Sequence, residues 1–298
     1  MLPMLYGRLV AVLEALSASW EVILVDDGSR DATYDVALGL RDRDTRVKVV
    51  RLSRNFGHQL ALSAGLDLAQ GSAVVTMDGD LQHPPEVIPE FLSRWREGYE
   101  VVYGVMSERQ GESLLKNVTA RLFYRLLRWL ADVEVPPAAG DFRLVDRKVL
   151  SVFVSMPEAN RYLRGMFSWI GFRQTGVPYV SPPRAVGHSK YTTRRMIRLA
   201  VDAIVGFSQR PLRLAMTFGF FVSVGSVIFG LSAVVVKLAG GFVVPGWASI
   251  MVLVGFVGGI QLMVLGVIGE YIARIYDEVK RRPLYVVSEH DAPGVNTR

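Results

Sequence analysis

The chain contains no cysteine. Disulfides and thiolate metal sites are therefore excluded, and nothing about redox compartment can be read from cysteine usage. Histidine is nearly as scarce: His58, His83, His188 and His290 are the whole set, too scattered in sequence for a metal cluster. Acidic residues are outnumbered, 28 Asp and Glu against 34 Lys and Arg, which leaves a formal net charge of +6. A basic balance admits phosphorylated substrates, anionic lipid headgroups or nucleic acid as partners. No internal repeat or low-complexity tract is present. The first twenty residues lack the basic start of a signal peptide and carry Arg8 and Glu14 inside their apolar part, so they read as an amphipathic helix instead.

Charge is missing altogether from two long runs, residues 214–236 and 247–269. Each is long enough to span a ~30 Å hydrocarbon core, with a break at Pro245-Gly246 between them. Arg210 and Arg213 precede the first run; Arg274, Lys280, Arg281 and Arg282 follow the second; the connection carries Lys237. By the positive-inside rule both ends are cytoplasmic and the hairpin loop is outside. The 298 residues, with a mean hydropathy of +0.27, leave room for one α/β domain ahead of this hairpin.

That domain shows strands alternating with helices. Apolar runs at 21–25, 47–52, 74–77 and 100–103 read as strands, and 32–40, 59–69 and 87–97 as helices. The alternation predicts a doubly wound, mostly parallel sheet, whose ligands bind beyond the carboxyl ends of the strands. Two acidic turns fall there: Asp26-Asp27 and Asp78-Gly79-Asp80. In extended chain, Asp78 and Asp80 point to one side, and Gly79 between them allows close approach of a ligand. Such a pair suits Mg²⁺ or Mn²⁺, which bind through one or two carboxylates plus substrate phosphates. The bland alternatives are a plain turn and, for Asp26-Asp27-Gly28-Ser29, a helix N-cap.

Further along, Gly140-Asp141-Phe142-Arg143-Leu144 is either a second active-site segment or a buried structural ion pair. The stretch 179–191 holds Arg184, Ser189 and Lys190 in a turn-rich basic loop of the type that grips phosphates. Residues 114–130 form a basic amphipathic helix that either lies on a membrane surface or packs on the core with a solvated basic face. Residues 192–207 read as a second helix of this kind, and 283–287 as a short extended tail.

Together these motifs resemble the membrane-anchored polyprenyl-phosphate glycosyltransferases of the GT-A fold, glycosyltransferase family 2. The resemblance rests on V-D-D-G-S-R-D (25–31), R-N-F-G-H (54–58), M-D-G-D-L-Q-H-P-P-E (77–86), G-D-F-R-L (140–144), G-H-S-K-Y (187–191) and G-E-Y-I-A-R-I-Y-D-E-V-K-R-R-P-L-Y (269–285). The chain is similar to the bacterial subfamily that charges undecaprenyl phosphate with glucose or a related sugar; dolichyl-phosphate mannose synthases are relatives. The resemblance implies a cytoplasmic GT-A domain over 1–190, a juxtamembrane amphipathic helix over 191–213, two transmembrane helices over 214–269, and a cytoplasmic helix and tail over 270–298. It implies an inner or plasma membrane protein that takes a nucleotide sugar and a polyprenyl phosphate, binds no nucleic acid, and assembles as a homo-tetramer in which the 283–287 tail pairs with a neighbour's sheet.

Carried over residue by residue, the resemblance implies that Asp26 and Asp27 contact the nucleoside. Asp78 and Asp80 become the metal-binding pair, with Gln82 helping to hold the Mg²⁺ or Mn²⁺. Asp141 and Arg143, with Asp80, serve the reaction itself. Arg109, Arg184, Ser189 and Lys190 grip the two phosphorylated substrates. One departure stands out. Family members open with a strand ending in a Pro-Val-Tyr-Asn-Glu-like turn that reads the base, and this sequence starts at the following helix. The expectation is a start placed too far downstream, or a shortened chain, with neighbouring strands left unpaired. A processive polysaccharide synthase is a weaker reading, since its Gln-x-x-Arg-Trp motif is absent; a non-catalytic partner with a decayed transferase domain is the reading from another class.

Overall fold

Helix α1 (Leu2–Ala15) opens the fold and lays Leu9, Val12 and Leu13 against the sheets that follow. The β-branched run of β1 (Val22–Asp26) pairs in parallel with β2 (Val47–Leu52) across α2 (Thr33–Arg41). Helix α3 (His58–Leu68) leads to β3 (Ala73–Thr76), and a 3₁₀ turn at Pro85–Val87 runs into α4 (Ile88–Arg96) and then β4 (Val101–Met106). After β5 (Ala139–Asp146) come α5 (Arg147–Ser155), α6 (Leu163–Ile170) and β6 (Gln174–Tyr179). Two long helices follow, α7 (Arg210–Leu238) and α8 (Trp247–Lys280), and a last strand, β7 (Val287–His290). This computed structural model describes residues 1–106, 139–182, 208, 210–239 and 246–290.

The strands form two sheets, ordered β1-β2-β7 and β3-β5-β4-β6. The α/β class with helices on both faces is as the sequence predicts, but the sheets are mixed. β4 runs parallel to β6, whereas β5 runs antiparallel to both β3 and β4, and β7 antiparallel to β2. The alternating pattern misses β5 because its inward residues on one face are Asp141 and Arg143. Among the described residues β1 pairs only with β2, and β3 only with β5, in keeping with the expectation of unpaired neighbours. Two helices join the sheets instead. Leu9 of α1 packs into clusters of both, and α3 lies against both β1 and β3.

The four-stranded sheet is covered on both sides. Phe142 and Leu144 meet Ile88 and Phe91 of α4 on one face. On the other, Val145 joins Leu66 of α3, Phe153 of α5 and Phe167 of α6. Residues i and i+2 of a strand share a face, so Asp141 and Arg143 lie on the side of Val145, under α3 and α6. Asp146 ends β5 and caps α5, accepting from the Lys148 N–H at 2.8 Å.

Helices α7 and α8, with 29 and 34 residues, are ~44 and ~51 Å long at about 1.5 Å per residue. Both carry apolar windows of mean hydropathy 1.8 and are long and apolar enough to cross a membrane. Phe220, Phe221 and Phe229 of α7 and Leu262 and Met263 of α8 are exposed. A helix apolar all round belongs in a large core or a bilayer. The tail after α8 does not extend away as a free strand: β7 pairs with β2 of its own chain, and Ser53 N–H donates to Val286 O at 2.8 Å.

Candidate active site

The site is built where β1, β3 and the start of α3 converge on β5. At the end of β1, Asp26 is buried and Asp27 half-buried. Asp26 accepts the Ser29 N–H at 3.2 Å and has Arg51 Nε at 3.6 Å. The Asp27 carboxylate accepts the N–H groups of Phe56 and Gly57 at 2.7 and 2.9 Å. A carboxylate at a helix N-terminus satisfies open backbone donors and complements the dipole, so Asp27 fixes where α3 begins. This close approach needs Gly28: its φ is +67°, and a Cβ there would lie 2.6 Å from the backbone carbon of Arg54. Both acids expected at the nucleoside therefore hold backbone in this structure. A cavity of about 460 Å³ opens beside them, with Arg30, Arg51, Arg54, Asn55 and, from β7, Ser288 and Glu289 in its wall.

The first two residues of α3, His58 and Gln59, reach Asp141. His58 Nε2 lies 3.3 Å from Asp141 Oδ2 and 3.5 Å from Asp78 Oδ1, and Gln59 Nε2 donates to Asp141 Oδ2 at 3.3 Å. From α6, Arg164 donates through Nε to Oδ1 at 3.0 Å and through Nη2 to Oδ2 at 3.1 Å. Burial alone pushes the Asp141 carboxyl up, but the hydrogen bonds of His58 and Arg164 and the charges of Arg164 and Arg143 hold it well below the usual carboxylate range. The Asp141 hydrogen bond in turn raises His58 above its ordinary value. Arg143 is buried beside them, donating to Gly140 O at 2.9 Å with its guanidinium over the Phe167 ring. Burial brings its pKa down to about 10, so it stays charged at neutral pH.

Beyond β3 the chain makes a tight loop. Asp78 N–H donates to His83 Nδ1 at 2.9 Å, and Gln82 N–H to Asp80 Oδ1 at 3.0 Å. Leu81 takes a left-handed backbone, φ +66°, with its side chain buried. For a bulky residue that is a strained conformation, of a kind that clusters at ligand clamps. The buried His83 ring stacks on Phe142 with 4.9 Å between centroids, and burial pushes its pKa down. A neutral ring accepting at Nδ1 thus fixes the Asp78 backbone.

One atom in this loop is conspicuous: Asp78 Oδ1 is buried and makes no hydrogen bond, with His58 Nε2 at 3.5 Å its ion-pair neighbour. A buried carboxylate oxygen without a hydrogen bond fits a divalent cation. Among the described residues no group of three or more His, Cys, Asp or Glu is arranged to hold a metal. The protein's share at this point is then one or two carboxylates, the usual case when substrate phosphates complete the shell of Mg²⁺ or Mn²⁺.

The structure thus brings Asp78 and Asp141 together across His58, sets Arg143 behind Asp141, and ties the Asp26-Asp27 turn to the same helix start. Arg109, Arg184, Ser189 and Lys190 lie outside the described residues. Three partners were not singled out from sequence: His58, Gln59 and Arg164. The first stands in the R-N-F-G-H motif, where its role was open to notice; Arg164 stands in L-R-G, which carries no signal at the sequence level.

Comparison with known proteins finds relatives along the chain. Residues 3–153 match the family described as Glycosyl transferase family 2. An uncharacterized glycosyltransferase of Synechocystis sp. is 44% identical over 285 residues, 96% of this chain and 90% of that protein. The SfII prophage-derived bactoprenol glucosyl transferase of Shigella flexneri is 38% identical, over 97% of this chain and 93% of its own. A prophage bactoprenol glucosyl transferase homolog of Escherichia coli is 36% identical, over 96% and 94%.

Proposed function

The chain belongs to glycosyl transferase family 2, and from that membership we propose that it moves a hexose, with UDP-glucose the best-supported donor, onto a polyprenyl phosphate of the undecaprenyl type. That it is a glycosyltransferase follows from the family itself. Glucose and the lipid acceptor are taken from relatives named as bactoprenol glucosyl transferases. The two long apolar helices support a lipid substrate, and the arginines that flank them, against one lysine between, support a catalytic domain on the cytoplasmic face.

The observation that carries the reading is the buried Asp78 Oδ1 beside Asp80, which has no hydrogen bond and only His58 Nε2 within ion-pair range at 3.5 Å, across from the clamped Asp141. Asp78 and Asp80, with Gln82 beside them, would hold Mg²⁺ or Mn²⁺, and the ion would supply neutralisation of charge on the leaving diphosphate. An oxygen of the acceptor phosphate attacks the anomeric carbon in line. The bond from that carbon to the diphosphate breaks, the nucleoside diphosphate leaves with the electron pair, and the anomeric centre inverts. The acceptor is already an oxyanion near neutral pH, so no proton has to be removed. Asp141 suits that requirement: held strongly acidic, it is a poor general base. Its role is to keep Arg164 and Arg143 aligned as a positive field around two anionic substrates, with His58 and Gln59 fixing its Oδ2.

The test is to incubate membranes carrying the protein with labelled UDP-glucose, other UDP-hexoses and GDP-mannose in turn. Glucose label entering chloroform-soluble lipid is the expected result. Label from GDP-mannose alone would replace the donor, and no lipid label from any of them would overturn the reading.

A further inference from the structure

Among the described residues, the hydrogen bonds that the Asp141 carboxylate accepts come from two elements. α3 supplies His58 and Gln59, and α6 supplies Arg164. The two are locked together at their starts, because Leu163 N–H donates to Gln59 Oε1 at 3.0 Å. Neither is held only by the sheet. Both are also gripped by the segment that leaves the second long apolar helix.

The grip has two points. Near the end of α8, Glu278 Oε1 accepts the Ala159 N–H at 2.8 Å, which fixes the loop leading into α6. Past the end of α8, Tyr285 donates its hydroxyl to Asp67 Oδ2 at 2.7 Å, at the far end of α3 from His58. The Tyr285 ring packs on Val50, Leu52 and Ala64, and the chain then continues into β7. Between the two points lies a buried polar pocket. Arg161 donates to Met156 O at 2.9 Å, but its Nε and Nη1 have no partner, nor has Glu158 Oε2. Unsatisfied buried groups of this kind weigh against the loop's position, and the contacts from α8 and the tail help to hold the loop and α3 against that cost.

We propose that Glu278 and Tyr285 are positioning residues for the transfer step: they hold the 156–163 loop and α3 in the register that points Arg164, Gln59 and His58 at Asp141. The inference rests on the transferase reading given above. It makes the alignment of the groups around Asp141 depend on where α8 ends, and so on how that helix is seated. Neither residue touches Asp141, and each acts through another.

The experiment uses the full chain in membranes, with Tyr285→Phe, Glu278→Ala and Arg164→Lys singly and in pairs. Glucose transfer to lipid is measured as kcat and KM for the nucleotide sugar, and hydrogen exchange is followed at the Leu163 amide. Glutamine at 278 would keep an oxygen to accept the Ala159 N–H, so alanine is used. Because small misplacements of catalytic groups are costly, Tyr285→Phe and Glu278→Ala are each expected to lower kcat by roughly tenfold with KM within about twofold. Glu278→Ala should cost much less in an Arg164→Lys background, since it acts through that residue. Arg94→Ala, on the exposed face of α4, should change nothing and add simply. Tyr285→Phe should also speed exchange at Leu163, which it does not contact. Unchanged kcat in both variants, or full additivity with Arg164→Lys, overturns the proposal. If Glu278→Ala fails to accumulate, Tyr285→Phe, which keeps its ring in the core, decides alone. If the wild type transfers no sugar, the functional reading falls, and exchange at Leu163 still decides the positioning role: unchanged exchange overturns it.

Discussion

The Arg164 guanidinium meets the Asp141 carboxylate edge to edge, with Nε and Nη2 on the two separate oxygens at 3.0 and 3.1 Å. Only a planar fork makes that contact; a lysine offers a point charge. Arg164→Lys keeps the charge and loses the geometry. kcat for transfer is expected to fall on the order of 10- to 100-fold, with KM for the nucleotide sugar little changed. Steady-state kinetics on membranes checks this. A rise in KM at constant kcat would instead place Arg164 in ground-state binding.

Most of the site's acids were legible because they sit at strand ends, where a chain switching from an apolar run to a Gly-containing turn is visible in one dimension. Asp26, Asp27, Asp78 and Asp80 are all of this kind. β5 was not legible as a strand. Its Phe142 and Leu144 alternate properly, but the opposite face carries Asp141 and Arg143, so a buried strand looks like a polar loop. What sequence could not supply is pairing in space. Asp27 reads as a ligand group until the Phe56 and Gly57 N–H groups are found on it. His58 and Arg164, 106 positions apart, share a partner only because α3 and α6 cover the same face of β5. The tail after α8 reads as extended over 283–287; the strand that forms, β7, begins at Val287 and runs to His290, paired with β2 of the same chain.

The Asp78 oxygen without a hydrogen bond leads to a prediction about cations. Asp80→Ala should abolish transfer even at saturating Mn²⁺, and a chelator should abolish wild-type transfer reversibly. Asp78→Asn tests the same point by another readout. It removes the charge beside His58 while keeping the side chain's shape, so the Mn²⁺-dependent rise in melting temperature with uridine diphosphate should vanish. Full activity of Asp80→Ala would remove the metal assignment.

Away from the site, Asp44 sets a pH dependence. Its carboxylate accepts hydrogen bonds from Arg46 at 2.9 and 3.0 Å and from the Tyr6 hydroxyl at 2.6 Å. The Arg46 hydrogen bond first, then that of Tyr6, outweigh burial and hold its pKa well below the usual carboxylate range. A depressed folded-state pKa contributes stability that is fully present above the unfolded value, ~3.9, and is lost as pH falls below it. Asp44→Asn should therefore cost about 1 kcal/mol at pH 7, discounted because Arg46 is largely in water. The gap to wild type should close as pH falls from 5 towards 2. Thermal midpoints at several pH values check this, and a gap independent of pH would mean that Asp44 acts through packing alone.

The absence of cysteine makes the orientation of the hairpin directly measurable, since a single introduced thiol has no background. Ala239, just past the end of α7, faces the non-cytoplasmic side on the proposed topology. Ser151, exposed on α5, faces the cytoplasm on the same proposed topology. The asymmetry behind this is the six basic residues Arg210, Arg213, Arg274, Lys280, Arg281 and Arg282 outside the apolar runs against Lys237 between them. Positive residues near span ends are retained on the cytoplasmic side. A membrane-impermeant maleimide added to intact cells should label Ala239→Cys and leave Ser151→Cys unlabelled until the cells are lysed. The proposed function requires this arrangement, because a nucleotide sugar is made in the cytoplasm while a polyprenyl phosphate acceptor sits at the bilayer surface. The reverse labelling pattern would put Asp78 and Asp141 on the side where no nucleotide sugar is available, and the transfer reaction could not be sustained there.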